Sequence, residues 1–473
     1  MPIRFRLNGA PRAVEGISPT TTVLDYLRGI ERLTGTKEGC AEGDCGACTI
    51  AVAKPGADGP HYEAVNSCLM VVPQLEGRDV VTVEGLAAGG ELHPVQAALV
   101  DADATQCGFC TPGFAMAMFA LSQDGSPRDE ETIHEALAGN LCRCTGYRPI
   151  VEACRRLTPA PAGCLRDKPA HGGVPMPPGD ATYRNGDQIY LAPASLDALT
   201  RLRAEHPDAI LLGGGTDLGL RVSKEREAFP AVIWTGRVAE LKRITETDGA
   251  IEFGAAVTYS EALPLLDKYF TSFAALVRRI GSRQIRNLGT FAGNLATASP
   301  IGDTIPCLIA LNAEVMLRSQ AGSRSLPVEQ FITGYRKTAM QPDEFIETVR
   351  LPLLPPERTF RVYKLSKRFD QDISTLIAAF NIGVENGVIR DLRAAFGGMA
   401  AQAARAGHVE AALAGKPWAE DSLAEIDAAI AQDFRPMSDH RGGADYRLRA
   451  AANLLRRLYI ETSSTQPAQV WAL

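Results

Sequence analysis

A chain of 473 residues with 45% hydrophobic and 22% charged side chains is too long for one core and reads as about three or four globular domains. Its net charge of -6 and isoelectric point near 5.8 offer no electrostatic footprint for a nucleic-acid backbone. No apolar run approaches the ~18–20 residues of a membrane span, and the charged opening MPIRFRLNGAPR contains no secretory h-region, so the sequence points to the cytoplasm and to reduced thiols.

In chain order, Ile3, Phe5 and Leu7 alternate with Arg4 and Arg6, Asn8-Gly9 supplies a hairpin turn, and Ala13-Val14 begin the return. A helix is expected from Thr22 to Arg28, and strands at 49–53 and 79–83 complete a small α+β unit. Its loops carry Cys40-x4-Cys45-x2-Cys48 and, further on, Cys68, the plant-type spacing for a 2Fe-2S cluster. A zinc site or buried free thiols would use the same residue type. Glycines at 39, 43 and 46 favour the cluster, because they let the loop wrap closely and aim N–H groups at sulfur.

From 93 to 157 the period turns helical: one stretch after Pro94, another opening at Pro112, a third after Ser126-Pro127 with Asp129 at its start and Gly139-Asn140 at its stop, and a last after Pro149. Cys107-x2-Cys110 and Cys142-x-Cys144 each fall in a loop just before a helix begins, where backbone N–H groups favour thiolate charge. Alone, this quartet suits zinc as well as iron and sulfide; beside the first it reads as a second 2Fe-2S site. Cys154, Cys164 and Cys307 are given no role.

Residues 158–180, rich in proline and glycine, read as an extended linker. Ser195 then starts a helix with Leu196, Leu199 and Leu202 on one face, and an apolar strand at 210–212 runs into Gly213-Gly214-Gly215-Thr216-Asp217. Such a glycine run is either a plain turn or a nest of N–H groups for a pyrophosphate. Leu218 in the third glycine's place argues against a Rossmann fingerprint. Strands near 251–257 and 313–318 enclose a helix around Phe273, Leu276, Val277 and Ile280 and a small-residue loop, Thr290-Phe291-Ala292-Gly293-Asn294. The last portion is a meander, with strands at 360–366, 376–384 and 388–396 and a turn at Asn386-Gly387, beside helices near 420–432 and 443–460.

The segments GCAEGDCGACTI at 39–50, QCGFCTPG at 106–113 and GNLCRCTGYRPI at 139–150 are similar to the iron–sulfur motifs of the molybdenum hydroxylases, the xanthine dehydrogenase family. LLGGGTDLG at 211–219 and TFAGNLATASPIGD at 290–303 resemble that family's FAD motifs, and KLSKRFDQDIS at 364–374 resembles its more C-terminal flavin-proximal segment. The resemblance implies a multidomain α+β chain: a β-grasp 2Fe-2S ferredoxin-like domain at 1–86, a four-helix 2Fe-2S domain at 87–157, the linker, a vanillyl-alcohol-oxidase-type FAD domain at 181–354 and a C-terminal α+β subdomain at 355–473.

Carried over at matching positions, the resemblance implies Cys40, Cys45, Cys48 and Cys68 as ligands of one cluster and Cys107, Cys110, Cys142 and Cys144 as ligands of the other. FAD would be met by Ile210, Leu211, Leu212, Gly213, Gly214, Gly215, Thr216 and Asp217 at the pyrophosphate, aided by Thr290, Gly293 and Asn294, with Asp303 at the ribitol or ribose. Ile280, Ile346 and Lys364 match further flavin contacts. Ile280 replaces an aromatic of animal members, so it has no ring to stack. Asp370 and Asp372 match an acidic stretch near the flavin. Gln106 would lie beside the pterin of a molybdenum cofactor on another polypeptide, its plainer reading being a polar loop residue.

The chain ends at 473 without the residues that form the molybdenum domain of single-chain relatives, so the expected partner is a large subunit bearing that cofactor, in a dimer of heterodimers. No catalytic residue for hydroxylation is expected here. The expected function is that of the electron-transfer and NAD-reducing subunit of a xanthine dehydrogenase, moving electrons from oxidation of hypoxanthine and xanthine to urate through the Cys107 quartet and then the Cys40 quartet to FAD and NAD. One rival is the small subunit of another molybdenum hydroxylase, acting on an aldehyde or N-heterocycle. Another is a redox sensor or scaffold that only holds clusters, which the intact flavin motifs disfavour.

Overall fold

The computed structural model describes residues 1–54, 61–87, 89–157, 174, 176 and 178–463. Cys164 and most of the expected linker lie outside the described residues. The chain divides into two compact units: Met1–Glu240 with Thr258–Ser260 and Gly281–Thr290, and Leu241–Val257 with Glu261–Ile280 and Phe291–Leu473.

In the first unit, the positive φ angles of Asn8 (51°) and Gly9 (80°) make the two-residue turn that the right-handed twist of a hairpin requires. Leu7 therefore pairs directly with Ala10, and the return strand Ala10–Val14 starts three residues earlier than expected. The sheet order is Ala10–Val14, Ile3–Leu7, Asp79–Val81, Thr49–Lys54 and His61–Asn66. The edge position of Ala10–Val14 tolerates Pro11. His61–Asn66 was not foreseen, because only its last three residues are buried and it shows no clean alternation. Thr22 caps the expected helix by accepting from Asp25 N, but the chain widens after one turn into a π-helix, Tyr26–Ile30.

Four helices follow as expected: Pro94–Asp101, Thr111–Gln123, Glu130–Leu137 and Arg148–Arg155. Asp129 accepts from Thr132 N at 2.8 Å, satisfying one orphan donor of the third. Thr111–Gln123 is buried along most of its length, and Phe114 and Phe119 share a core with Ile133 and Ala153. A second sheet has the order Ala181–Asn185, Gln188–Ala192, Ala231–Trp234 and Ile210–Leu212, parallel across its last three strands. Ser195 caps the helix Leu196–Glu205 as the sequence suggested. Residues of both sheets, among them Phe5, Val80, Tyr190 and Trp234, form one apolar core.

The second unit holds an antiparallel sheet in the order Ile244–Glu246, Ala250–Gly254, Phe345–Pro352, Glu314–Ser319 and Gly322–Pro327. The expected meander is present as Arg358–Leu365, Leu376–Glu385 and Val388–Gly397, with an additional short strand, Ala404–Arg405. Helices Gly407–Leu413, Ile426–Asp433 and Ala444–Ser463 cover it, with Phe380, Phe396, Ile430 and Leu455 in the shared core. One expectation is corrected here. The small-residue loop at 290–294 is largely helix, Phe291–Thr297, because Phe291 stacks on Phe253 at 5.5 Å and Leu295 is fully buried. Ile280 lies just beyond the end of the helix Thr271–Arg278 rather than within it. No helix among the described residues is long and apolar enough to cross a membrane.

Candidate cluster and flavin sites

The four cysteines of the first quartet meet as two pairs. Cys40 N donates to Cys45 Sγ and Cys45 N to Cys40 Sγ, both at 3.3 Å, and Glu42 N adds a third donor to Cys40 at 3.4 Å. Cys48 and Cys68, both buried, place their sulfurs 3.3 Å apart. Within each pair one thiol is easy to ionise and its neighbour hard. The Cys45 thiol, then backbone N–H groups, bring Cys40 down to about 5, whereas Cys45 and Cys68 are raised by their partners and by burial. Asn66, fully buried, points its amide at Cys48 Sγ at 3.7 Å.

In the second quartet Cys110 neighbours Cys142 and Cys107 neighbours Cys144. Burial pushes Cys110 up to about 12. Burial also pushes Cys142 up, but the Thr145 hydroxyl at 3.2 Å and the Thr145 N–H at 3.4 Å outweigh it and hold the thiol below its ordinary range. The Tyr147 hydroxyl accepts from Cys142 N at 3.0 Å, fixing the loop from the far side. Cys107 and Cys144 are exposed, as are Gln106, Phe109, Leu141 and Tyr147 around them.

Two thiolates for each of two irons is what a binuclear cluster takes, so each quartet fits a 2Fe-2S group, with N–H donors already aimed at sulfur.

The quartets are joined. Leu141 N donates to Cys45 O at 3.0 Å, so adjacent residues of the two thiol loops share a backbone hydrogen bond. Asn140, Thr49 and Gln284, all buried, surround the next carbonyl: Asn140 Nδ2 donates to Gly46 O at 2.9 Å, Thr49 Oγ1 donates to it at 2.7 Å, and Gln284 Nε2 donates to Asn140 Oδ1 at 2.9 Å. The approach is too close for side chains. A Cβ on Gly46 would meet Gly139 O at 2.2 Å, and one on Gly113 would meet Gly46 O at 2.3 Å.

On its other side the first thiol loop is fastened to the helix Leu218–Ser223, which follows the glycine run. Ser223 Oγ donates to Ala41 O at 2.7 Å, Lys224 Nζ to Cys40 O at 2.9 Å, and a Cβ on Gly219 would meet Leu69 O at 2.6 Å.

The expected flavin residues fall in both units. In the first, Ile210–Leu212 lead into the glycine run, where a Cβ on Gly214 would lie 1.7 Å from Leu288 O while one on Gly213 would meet only Thr290 Oγ1, at 3.7 Å. Thr290 is thus brought beside Gly213, whose open side leaves room for a phosphate against the backbone. Asp217 makes no side-chain cap to the helix it precedes. In the second unit, Lys364 Nζ and Ser374 Oγ hold the two oxygens of Asp303 at 2.7 Å each, and Lys364 also donates to Arg279 O at 2.9 Å. Asn294 Oδ1 accepts from Thr304 at 2.6 Å, and Ile346 is buried in the Phe345–Pro352 strand. Asp372 accepts from Arg368 N at 2.8 Å, and Arg279 lies over the exposed Phe369 ring at 4.5 Å. Asn66, Thr145, Gln284 and Ser374 were not singled out from sequence, and Asn140 only as part of a helix stop; only Thr145, next to Cys144, stands where adjacency to a ligand would have suggested it.

Family models match the chain in series: a 2Fe-2S iron–sulfur cluster binding domain over 5–73, a [2Fe-2S] binding domain over 82–155, the FAD binding domain in molybdopterin dehydrogenase over 182–354, and the CO dehydrogenase flavoprotein C-terminal domain over 361–462. Fold and family models together define an iron–sulfur flavoprotein with two 2Fe-2S domains and one FAD-binding domain. Xanthine dehydrogenase of Emericella nidulans is 33% identical, over 98% of this chain and 39% of its own length. Aldehyde oxidase 2 of Cavia porcellus is 30% identical, over 97% of this chain and 39% of its own. Among solved structures, carbon monoxide dehydrogenase from Hydrogenophaga pseudoflava matches with a TM-score of 0.54 and 27% identity, over 57% of this chain and 94% of that one. Quinoline 2-oxidoreductase from Pseudomonas putida 86 matches with a TM-score of 0.54 and 26% identity, over 57% and 95%. The chain belongs to the molybdenum hydroxylase family, of which it carries the iron–sulfur and flavin-binding part. It spans about two fifths of the length of the curated relatives it matches.

Proposed function

We propose that this chain is the electron-transfer subunit of a xanthine dehydrogenase, carrying electrons between a molybdenum-bearing large subunit and NAD. The observation that carries the reading is the unbroken series of contacts within the first unit: the Cys142 loop is bonded to the Cys45 loop through Leu141, and the Cys40 loop is bonded to the helix that follows the glycine run. Cys107, Cys110, Cys142 and Cys144 would hold one 2Fe-2S cluster, Cys40, Cys45, Cys48 and Cys68 the other. Residues 210–217 with Thr290 would receive the FAD pyrophosphate, and Ile280, Gly293, Asn294, Asp303, Ile346 and Lys364 would be its remaining contacts. The clusters supply one-electron carriage, and a flavin exchanges electrons singly or in pairs, as NAD requires.

The protein's own part is to hold and orient these groups. N–H donors and the Thr145 hydroxyl stabilise thiolate charge, and the buried Asn66 amide does the same at Cys48. The exposed apolar side chains Phe109, Leu141 and Tyr147 around exposed Cys107 and Cys144 suit coverage by the large subunit, with Gln106 toward its pterin. A dimer of such heterodimers in the cytoplasm and a role in purine catabolism complete the reading.

Xanthine dehydrogenases of several organisms among the relatives favour this substrate, and the aldehyde oxidase and quinoline oxidoreductase matches mark the alternative of an aldehyde or N-heterocycle. Purifying the native complex decides. The proposal expects a co-purifying molybdenum subunit and NAD reduction by xanthine; turnover of xanthine without a molybdenum partner, or of aldehydes or quinoline alone, would overturn it.

A further inference from the structure

Asn140 lies two residues before Cys142, yet its side chain bonds to the neighbouring thiol loop and to Gln284. One amide nitrogen serves Gly46 O at 2.9 Å and Thr49 Oγ1 at 3.3 Å, and the amide oxygen is held by Gln284 Nε2 at 2.9 Å. The side chains of all three residues are at most 2% exposed, so these bonds are not shared with solvent. Gly46 O is the carbonyl next to Cys45 O, which accepts the Leu141 N–H. Two side-chain donors on Gly46 O, Asn140 Nδ2 and Thr49 Oγ1, hold the peptide that follows the Cys45 carbonyl and so restrain the direction of that carbonyl toward Leu141. The resulting link runs from Cys45 sulfur along its own backbone, across one hydrogen bond, and through Leu141 to Cys142 sulfur. The other hydrogen-bonded routes between the loops, from Gly46 O and Thr49 Oγ1 through the Asn140 amide, run through more covalent bonds, and electronic coupling falls with each added bond and far more steeply across a gap between non-bonded atoms.

We propose that Asn140 is a positioning residue for electron exchange between the two clusters: its amide, oriented by Gln284, keeps the Cys45–Leu141 hydrogen bond closed and so sets the rate at which one cluster is oxidised as the other is reduced. The inference rests on the assignment of both quartets as 2Fe-2S sites. Closeness of the sulfurs alone would not need this amide. Asn140→Asp keeps the size of the side chain but sets a carboxylate oxygen against Gly46 O, and Gln284→Glu removes the donor that orients Asn140, from outside either thiol loop.

The test is made on the full-length chain carrying its native clusters and flavin. Iron and sulfide content and the two reduced-cluster paramagnetic signals establish loading, redox titration gives both midpoint potentials, and fast single-electron injection reads equilibration between the clusters. In Asn140→Asp the expected result is full loading and, compared at the driving force that the titrations give, a severalfold slower equilibration and loss of the exchange part of the interaction between the two signals. Gln284→Glu should move the same two readouts in the same direction by less. Unchanged equilibration and interaction in a fully loaded Asn140→Asp overturn the proposal. Should that variant fail to load, Gln284→Glu decides in the same terms. A wild-type chain without two 2Fe-2S signals would instead sink the cluster assignment itself, a result distinct from the failure of this inference.

Discussion

Asn66 and Thr145 do at residue scale what the cysteine spacing cannot: they place a polar hydrogen on a sulfur. Each donor stabilises the more negative, reduced state of a cluster, so removing it should lower the midpoint potential. A hydrogen bond worth about 1 kcal/mol corresponds to roughly 40 mV for one electron. Thr145→Val should therefore shift the Cys107 quartet's cluster negative by roughly that amount. Asn66→Leu should shift the Cys40 quartet's cluster by less, because its contact is 3.7 Å against 3.2 Å. Separate redox titrations of the two paramagnetic signals check both, and would also show which signal belongs to which quartet. The quartets were legible in sequence because ligand spacing is local. The junction between them was not: Asn140 and Thr49 lie 91 residues apart and Gln284 and Thr49 235 apart, and neither Asn nor Gln is distinctive without its neighbours in space.

At the scale of elements, the glycine run separates two kinds of glycine that sequence treats alike. Gly214 is bound by packing, since its Cβ would strike the Leu288 carbonyl, whereas a Cβ on Gly213 would make only an ordinary contact with Thr290. Gly214→Ala should destabilise the chain by about 1–3 kcal/mol, as over-packing does, measured by chemical unfolding. Gly213→Ala should leave unfolding unchanged and lower flavin content, measured by absorbance after gel filtration; unchanged flavin would contradict a phosphate against that backbone.

A third element-scale prediction concerns Glu344. Arg324 grips its two oxygens at 2.6 and 2.8 Å and Gln341 N adds a bond at 2.7 Å, so the arginine chiefly holds the carboxyl below its ordinary value of 4.5. A depressed carboxylate contributes stability that is present above the unfolded value and is lost as pH falls through the folded one. Glu344→Gln should accordingly cost about 1 kcal/mol at neutral pH, with the difference from wild type shrinking as pH falls below 4.5 in urea unfolding. Elements were readable where a cap or turn residue marks them, as at Asn8-Gly9, Asp129 and Ser195. They were misread where aromatic packing overrides small-residue composition, as in Phe291–Thr297, or where the alternation is broken, as in His61–Asn66.

At the scale of the whole molecule, the two sheets of the first unit share one core, and its thiol loops are bonded to each other and to the glycine-run helix. The parts of the first unit are thus positioned by packing rather than by tethering. Two cluster domains in series were readable from the cysteines, and the flavin type only from resemblance, because its glycine run departs from the Rossmann pattern.

The most direct test of the account is low-temperature electron paramagnetic resonance of the reduced full-length chain, wild type beside Cys110→Ala. The account predicts two distinct 2Fe-2S signals in the wild type and loss of one alone in the variant. A single wild-type signal, or both signals surviving in Cys110→Ala, would contradict it.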